Sequence, residues 1–248
     1  PFSLLLPPLP EQRRIVAILD EAFDGIATAN ANAEKNLANA KELFESYLNF
    51  VFTEKGEGWV EATLQQVATI IMGQSPPGAS YNADYRGVPL INGPDEFGGL
   101  DPFSETLDTK FTTEPTKMAE KGDLILCVRG STTGRMNIAG HNACIGRGVA
   151  AIQPNIQDNK QWIYRFISFN RDAIHKLGIG STFPNVSSSK LKDLLIPFPP
   201  QDVRKEFTKG IERLSLQTQH LQTVYQQKLT GLTELKQSIL QKAFAGEL

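Results

Sequence analysis

Two arginines separated by hydroxyl and glycine residues form the segment best suited to chemistry. The run reads Arg129-Gly130-Ser131-Thr132-Thr133-Gly134-Arg135 and follows a short apolar stretch, Asp123 to Arg129, that predicts a buried strand. Arginine can donate two hydrogen bonds to a guanine edge, and hydroxyl groups or backbone amides can bind phosphate oxygens. The alternative is an ordinary turn between strands with solvated arginines. The glycine spacing and the missing Lys-Ser/Thr pair exclude a Walker A loop.

Two further loops carry small polar side chains of the kinds that contact nucleic acids. One follows Gly73 and offers a glutamine, whose amide can pair with an adenine edge. The other begins at Gly178 and places hydrogen-bonding side chains around one aromatic residue. The candidates from the two loops are Gln74, Ser75, Tyr81, Asn82, Thr182, Asn185 and Lys190. For each loop the alternative is a plain surface loop, and only the three segments together favour a binding surface.

Positive charge is concentrated in one half of the central region. Residues 59–123 contain four Lys/Arg and ten Asp/Glu, a net charge of −6, whereas residues 124–192 contain nine and two, a net charge of +7. The whole chain carries only −2. Such a basic half can face a polyanion. Arg147 lies in it and completes the candidate DNA-binding set.

The sequence contains no recognisable catalytic or metal-binding set. It lacks the Asn/Asp-Pro-Pro-Tyr/Phe motif of amino-methyltransferases, a Gly-rich cofactor loop and a nuclease-like cluster of carboxylates with lysine. The only cysteines, Cys127 and Cys144, are read as buried free thiols. His141, His175 and His220 have no cysteine or carboxylate at metal-ligand spacing. We therefore expect no catalytic residue, no metal and no cofactor.

Much of the C-terminal sequence repeats a stretch near the start of the chain. Pro197-x-Pro199-x-Gln201 corresponds to Pro8-x-Pro10-x-Gln12, displaced by 189 positions. Glu234-Leu235-x-x-Ser238-x-Leu240-x-x-x-Phe244 corresponds to Glu42-Leu43-x-x-Ser46-x-Leu48-x-x-x-Phe52, displaced by 192. Proline suits a helix start and disrupts a helix interior, and it stands before each copy. The repeat predicts two long equivalent helices, and the alternative is two unrelated amphipathic helices.

Apolar residues in both copies alternate at spacings of four and three, the heptad pattern of a coiled coil. The predicted seam includes Leu43 in the first helix and Leu221 and Leu235 in the second, with Asn36, Thr218 and Lys228 as polar interruptions. Because the first helix leads into the central region and the second leads out of it, the natural pairing is antiparallel. We therefore expect the two helices to cover each other.

The region between the helices mixes strand and helix patterns. Strands are predicted at Val88–Asn92, Asp123–Arg129, Gly148–Gln153 and Leu194–Phe198, with a short helix and strand over Leu64–Met72 and a helix over Lys160–Leu177. Glycine-bearing loops separate them. This mixture favours an α+β fold class, namely a mixed α/β domain with a curved sheet, plus two long helices packed as an antiparallel coiled coil. The sequence shows no signal peptide and no apolar run of about 20 residues, so we expect no membrane association and a cytoplasmic location.

The order of these features resembles the specificity subunit of type I restriction-modification enzymes. The resemblance rests on Pro-x-Pro-x-Gln at the helix starts, Trp59 at the domain opening, Gly73-Gln74-Ser75-Pro76-Pro77, Gly122-Asp123-Leu124-Ile125 through Arg129-Gly130, and Gly180-x-x-Phe183 before Leu194-x-Ile196-Pro197. It implies two target recognition domains held apart by two spacer helices, of which this chain contains one complete domain. The implied boundaries are 1–10 for the tail of an upstream recognition domain, 11–56 and 198–248 for the spacer helices, and 57–197 for the recognition domain.

The resemblance further implies a non-catalytic subunit that reads one half of a bipartite DNA site in the major groove. Its implied partners are double-stranded DNA, DNA methyltransferase subunits docked on it and a restriction subunit within the complex. A homodimer through the spacer helices is a further expectation for a half-subunit. The alternatives are a coiled-coil adaptor that binds another protein and, less favoured by the missing motifs, a standalone modification enzyme.

Overall fold

The computed structural model describes residues 7–178 and 185–248. Residues 1–6, most of the expected upstream tail, and residues 179–184, which include Thr182 and the Gly180-x-x-Phe183 motif, lie outside the described residues. The chain divides into two compact units, one comprising the chain up to Val51 with Lys209–Leu248 and the other comprising Phe52–Thr208. The described α-helices are α1 (Leu9–Thr53), α2 (Leu64–Val67), α3 (Lys160–Phe169), α4 (Arg171–Leu177), α5 (Ser188–Lys192) and α6 (Gln201–Ala245).

The first unit contains most of the two long helices, which run antiparallel. Each helix contains 45 residues, and both of their ends are displaced by the 192 positions that separate the repeated closing motifs. The Lys236 ammonium lies 5.1 Å from the Phe23 ring centroid, whereas Tyr47 meets the other end of α6 at Gly210. Contacts thus run in opposite order along the two helices. No helix within the described residues has the length and apolar composition that crossing a membrane requires.

The apolar seam of these helices occupies most of its predicted positions and departs from them at three residues. Ile26, Ala33 and Ala40 are buried at the predicted spacing of seven, but Leu37 and Phe44, which were not predicted in the seam, are half-buried beside them in sequence. The prediction is wrong for three residues, since Leu43 (60%), Leu221 (40%) and Leu235 (48%) are exposed. At these heptads the observed seam lies one residue later than predicted. It therefore uses Leu37 instead of Asn36 and Leu229 instead of Lys228, which buries more apolar surface. Thr218, predicted to interrupt the seam, is buried within it.

The described residues of the second unit form three sheets. The strands are β1 (Val60–Thr63), β2 (Ala68–Met72), β3 (Tyr81–Asn82), β4 (Val88–Ile91), β5 (Phe111–Thr112), β6 (Met118–Ala119), β7 (Leu124–Cys127), β8 (Met136–Ile138), β9 (Ala143–Ile145), β10 (Val149–Pro154) and β11 (Leu195–Phe198). An antiparallel sheet has the order β2-β10-β7-β8, a mixed sheet has the order β3-β5-β4-β9-β6, and β1 pairs with β11. In the mixed sheet β4 and β9 are parallel. The predicted α+β class is confirmed.

The core of this unit packs the four-stranded sheet against the five-stranded sheet. Alternate residues Ile125 and Cys127 of β7 join one buried cluster with Ile91 of β4 and Ile145 of β9. Alternation arises because successive strand side chains point to opposite faces. The hydroxyl of Tyr164 in α3 accepts a hydrogen bond from the Leu124 amide at 2.9 Å, so α3 lies against the same strand. The four-stranded sheet is thus covered on both sides.

The region predicted as one helix over Lys160–Leu177 contains two helices that meet at Asn170. Both the backbone amide and the side-chain amide of Asn170 donate to the Phe166 carbonyl, each at 3.0 Å. An asparagine side chain that competes for a helix carbonyl favours a helix end. The single-helix prediction is therefore wrong, and the region forms α3 and α4 instead.

Candidate nucleic-acid interface

Three polar segments of the chain meet at one edge of the four-stranded sheet. Strand β2 ends where β10 begins, because Met72 pairs with Ala150, and β7 ends there as well, because Cys127 pairs with Val149. The residues that follow β2, precede β10 and follow β7 consequently lie side by side. We call this surface the loop edge, and it comprises Gly73–Ser75, Gly146–Gly148 and Val128–Arg135.

Backbone hydrogen bonds connect the three segments of the loop edge. The Gln74 amide donates to the Ile145 carbonyl at 2.9 Å, and the Val128 amide donates to the Gly148 carbonyl at 2.9 Å. The Arg147 amide donates to the Ser75 hydroxyl at 3.2 Å. The Gln74 and Arg147 side chains are exposed. The structure thus holds these two sequence-predicted candidates on adjacent, fixed segments.

Residues 129–135 form a closed turn between β7 and β8. The Cys127 amide donates to the Arg135 carbonyl at 2.7 Å, and the Gly134 amide donates to the Cys127 carbonyl at 2.9 Å. Gly130 and Gly134 have φ values of 77° and 88°. This left-handed region favours glycine, which has no Cβ to clash with the backbone. The two glycines therefore let the chain reverse within a few residues.

The side chains of this turn divide into those that hold it and those that face solvent. The Thr133 hydroxyl donates to the Gly130 carbonyl at 2.7 Å and Thr133 is buried, so its side chain shapes the turn. Thr132 is half-buried. Burial raises the pKa of the Cys127 thiol, which precedes the turn, to about 11 and keeps the thiol neutral. Arg129 and Ser131 are exposed. These two are the groups that the turn offers to a ligand.

The second candidate loop returns to the same turn. Asn185 forms a bridge with Arg129, and the Val186 amide donates to the Val128 carbonyl at 2.9 Å. Asn185 is exposed beside Arg129. The Lys190 ammonium donates to the Leu177 carbonyl at 2.5 Å and so holds the last turn of α4. Thr182 lies outside the described residues and stays a prediction.

Tyr81 and Asn82 lie on β3 in the five-stranded sheet rather than in the loop edge. The Asn82 side chain is engaged within its own loop, because Oδ1 accepts from the Arg86 amide and Nδ2 donates to the Arg86 carbonyl, both at 3.0 Å. These bonds fix a loop in which Tyr85 has a φ of 59°. Asn82 therefore organises that loop in the structure.

Helix α4 brings two residues to the turn that were not among the sequence-based candidates. A Cβ on Gly134 would lie 2.7 Å from the Arg171 carbonyl oxygen, which shows how closely α4 approaches the turn. The His175 Nδ1 atom lies 3.1 Å from the Thr133 carbonyl oxygen. Arg171 was visible in the sequence only as one charge of the basic half. No pattern placed it or His175 beside the turn.

The arginines at and beside the loop edge are not neutralised by carboxylates. Within the described residues, no salt bridge involves Arg129, Arg135, Arg147 or Arg171. In contrast, the buried Glu96 carboxylate pairs with the Lys110 ammonium at 2.6 Å, so part of the acidic half is already compensated. An uncompensated set of guanidinium groups can bind phosphate oxygens or guanine edges. The described residues show no cluster of His, Cys, Asp or Glu that could hold a metal ion.

Comparison with known proteins identifies relatives in sequence. A family model described as the type I restriction modification DNA specificity domain matches residues 56–230. A putative type I restriction enzyme MjaX specificity subunit from Methanocaldococcus jannaschii is 32% identical over 227 residues, which cover 86% of this chain and 52% of that protein. This chain therefore spans about half the length of that curated relative.

Solved structures show the same similarity in three dimensions. A chain from a structure of the type I R-M system, solved to explain complex assembly and conformational transition, matches with a TM-score of 0.86 and 30% identity; the match covers 98% of this chain and 61% of that one. The HsdS subunit from Thermoanaerobacter tengcongensis matches with a TM-score of 0.75 and 30% identity, covering 98% of this chain and 60% of that subunit. These matches confirm the resemblance drawn from the sequence motifs. The chain belongs to the family of type I restriction-modification specificity subunits.

Proposed function

We propose that this chain is a non-catalytic DNA-recognition subunit that reads one half of a bipartite site through its loop edge. The observation that carries the proposal is the meeting of Gln74, Arg129 and Arg147 at one sheet edge, with Asn185 beside them. These side chain types read base edges in the major groove. The division into a spacer helix pair and one recognition domain, with the boundaries given above, is part of the same proposal.

The exposed apolar residues of the two long helices support a second part of the proposal, the docking of DNA methyltransferase subunits. Leu43 (60%), Phe50 (52%) and Leu216 (67%) are exposed on helices that already share a seam. Leu43 and Phe50 are seven residues apart and so share one face of α1, and exposed large apolar side chains on one face are typical of a binding surface. Methyltransferase subunits would bring the catalytic groups, and a restriction subunit would join through the complex. A second copy of the chain is the competing occupant of this surface.

The function is tested by selection from a random duplex library, using the chain together with its methyltransferase partner. Enrichment of one short asymmetric motif is the expected result and establishes reading of a half-site. Inverted copies of a motif at fixed spacing would instead establish a homodimer. A stable complex that enriches no sequence would overturn DNA reading and favour the adaptor function.

Arg129→Ala should relax discrimination at a single base pair of the selected motif. A guanidinium that donates two hydrogen bonds to a guanine edge contributes about 1–3 kcal/mol of discrimination. Binding of the selected duplex and of its single-base variants is the measurement. Arg86→Ala is the matched control, because the Arg86 side chain is exposed on a different loop and pairs with Asp84. Equal weakening on every duplex would contradict base reading by Arg129.

Arg171→Ala should weaken binding to all duplexes to a similar extent. Arg171 stands beside the turn rather than within it, which suits a phosphate contact. Loss of one phosphate contact reduces the slope of log K against log salt by about one. Titration at several salt concentrations measures this slope, with Arg171→Lys as the variant that keeps the charge. A change in base preference with an unchanged slope would contradict the assignment.

A further inference from the structure

The turn at residues 129–135 packs against α4, and one side chain of this helix contacts the backbone of the turn. The His175 Nδ1 atom is 3.1 Å from the carbonyl oxygen of Thr133, a buried residue at the centre of the turn. A protonated Nδ1 donates to this oxygen. The two bonded residues are 42 positions apart in sequence, and the acceptor lies in the segment between the two positive-φ glycines. The bond therefore restrains this segment from outside the turn, in addition to the hydrogen bonds within the turn.

Helix α4 is itself fixed, so the histidine is held by a rigid support. Ile174 is fully buried, and the Ile174 amide donates to the Asn170 carbonyl at 2.9 Å. At the other end the Lys190 ammonium binds the Leu177 carbonyl. The close approach of the Arg171 carbonyl to Gly134 leaves no space for the turn to move toward α4. The histidine bond prevents the turn from moving away.

We propose that His175 is a positioning residue for sequence discrimination. By holding the Thr133 carbonyl it keeps the turn in one conformation, so that Arg129 and Ser131 approach the DNA with a fixed geometry. The effect on base reading rests on the proposed function of the loop edge. The effect on the conformation of the turn does not rest on the proposed function, so the two effects can be tested separately.

Two substitutions separate the effect of the His175 hydrogen bond from the effect of the volume of its ring. His175→Phe keeps an aromatic ring in the half-buried position and removes the donor. His175→Asn loses the ring but places an amide nitrogen near the position of Nδ1. If the bond positions the turn, the asparagine variant should retain wild-type behaviour and the phenylalanine variant should not.

The first readout is the protection of the turn in the absence of DNA. Hydrogen exchange of the Gly134 and Arg135 amides, which donate to the Cys127 and Thr132 carbonyls, should be faster in His175→Phe by about tenfold. Amides of the distant β1–β11 pair serve as the internal reference and should be unchanged. Unchanged protection in His175→Phe would overturn the proposal whether or not the chain reads DNA.

The second readout is the ratio of binding constants for the selected duplex and for the variant at the base that Arg129 reads. His175→Phe should lower this ratio by about tenfold, while non-specific binding and the salt slope stay as in the wild type. His175→Asn should stay within about threefold of the wild type. Loss of discrimination in both variants would show that the ring packs the turn and would overturn the hydrogen-bond role. A wild-type chain without base preference would refute the proposed function and leave the exchange result to decide the positioning role.

Discussion

Replacing Trp162 with alanine should lower the free energy of unfolding by about 3–5 kcal/mol. Trp162 is 1% exposed, and its ring lies 4.9 Å from the Phe52 ring and 6.2 Å from the Trp59 ring, measured between centroids. Its indole nitrogen donates to the Pro197 carbonyl at 2.7 Å. Alanine would leave a large cavity among these rings and a carbonyl without its buried donor. Both losses fall in the unit that carries the loop edge.

Urea unfolding followed by circular dichroism measures this change. Trp162→Phe keeps most of the packing and loses only the bond to Pro197, so about 1–3 kcal/mol should be lost. Phe244→Ala is the control for removing a large aromatic ring, because Phe244 is 90% exposed and its loss should change stability by less than about 0.5 kcal/mol. If Trp162→Ala behaved like Phe244→Ala, the aromatic cluster would not stabilise the unit.

The long helices could be predicted because their signals are local and repeated. The proline motifs and the heptad spacing recur at almost constant displacement, and each helix has 45 residues. The exact residues of the seam were harder to predict. Leu43 and Phe44 are adjacent apolar residues, and only the partner helix decides that Leu43 remains exposed. Where two adjacent residues are both apolar, periodicity alone does not decide which of them the partner helix covers.

The second unit was harder to predict, since many of its strands are very short. Strands β3, β5 and β6 contain two residues each, and the alternation that identifies a strand does not develop over two residues. Their pairing depends on partners far along the chain, such as Tyr81 with Thr112. Longer apolar runs, such as Leu124–Cys127, were predicted within one or two residues of their observed ends.

For the candidate site, the sequence identified polar loops but not which groups remain available. Asn82, Thr133 and Lys190 carry side chains suited to DNA, yet each is engaged by a backbone group in its surroundings. Polar side chains in loops readily hydrogen-bond nearby backbone, and loop conformation decides which do so. With these engaged side chains set aside, exposure selects Gln74, Arg129, Ser131, Arg147 and Asn185 from the larger set of candidates, and the placement of α4 adds Arg171 to them.

Gly73→Ala is expected to damage both stability and the loop edge, because two backbone segments meet at this position. A Cβ at Gly73 would clash with the Gly146 carbonyl and would lie 2.8 Å from the Ile145 carbonyl oxygen, and neither is a movable side chain end. Relieving the clash would break the bonds from the Gly73 amide to Val149 and from the Gln74 amide to Ile145. Overpacking together with these losses should lower the free energy of unfolding by about 3 kcal/mol.

The matched control for this substitution is Gly78→Ala in the same polar loop. No atom lies within 4 Å of a Cβ built at Gly78, so its stability should change by less than about 0.5 kcal/mol. Urea unfolding compares the two variants, and binding to the selected duplex shows whether the loop edge survives. Gly73→Ala should lose base discrimination because Gln74 and Arg147 are carried by the segments that separate, whereas Gly78→Ala should keep it. Equal stability of the two variants would contradict the close backbone contact, and intact discrimination in a destabilised Gly73→Ala would show that base reading does not require Gln74 and Arg147 to be held together.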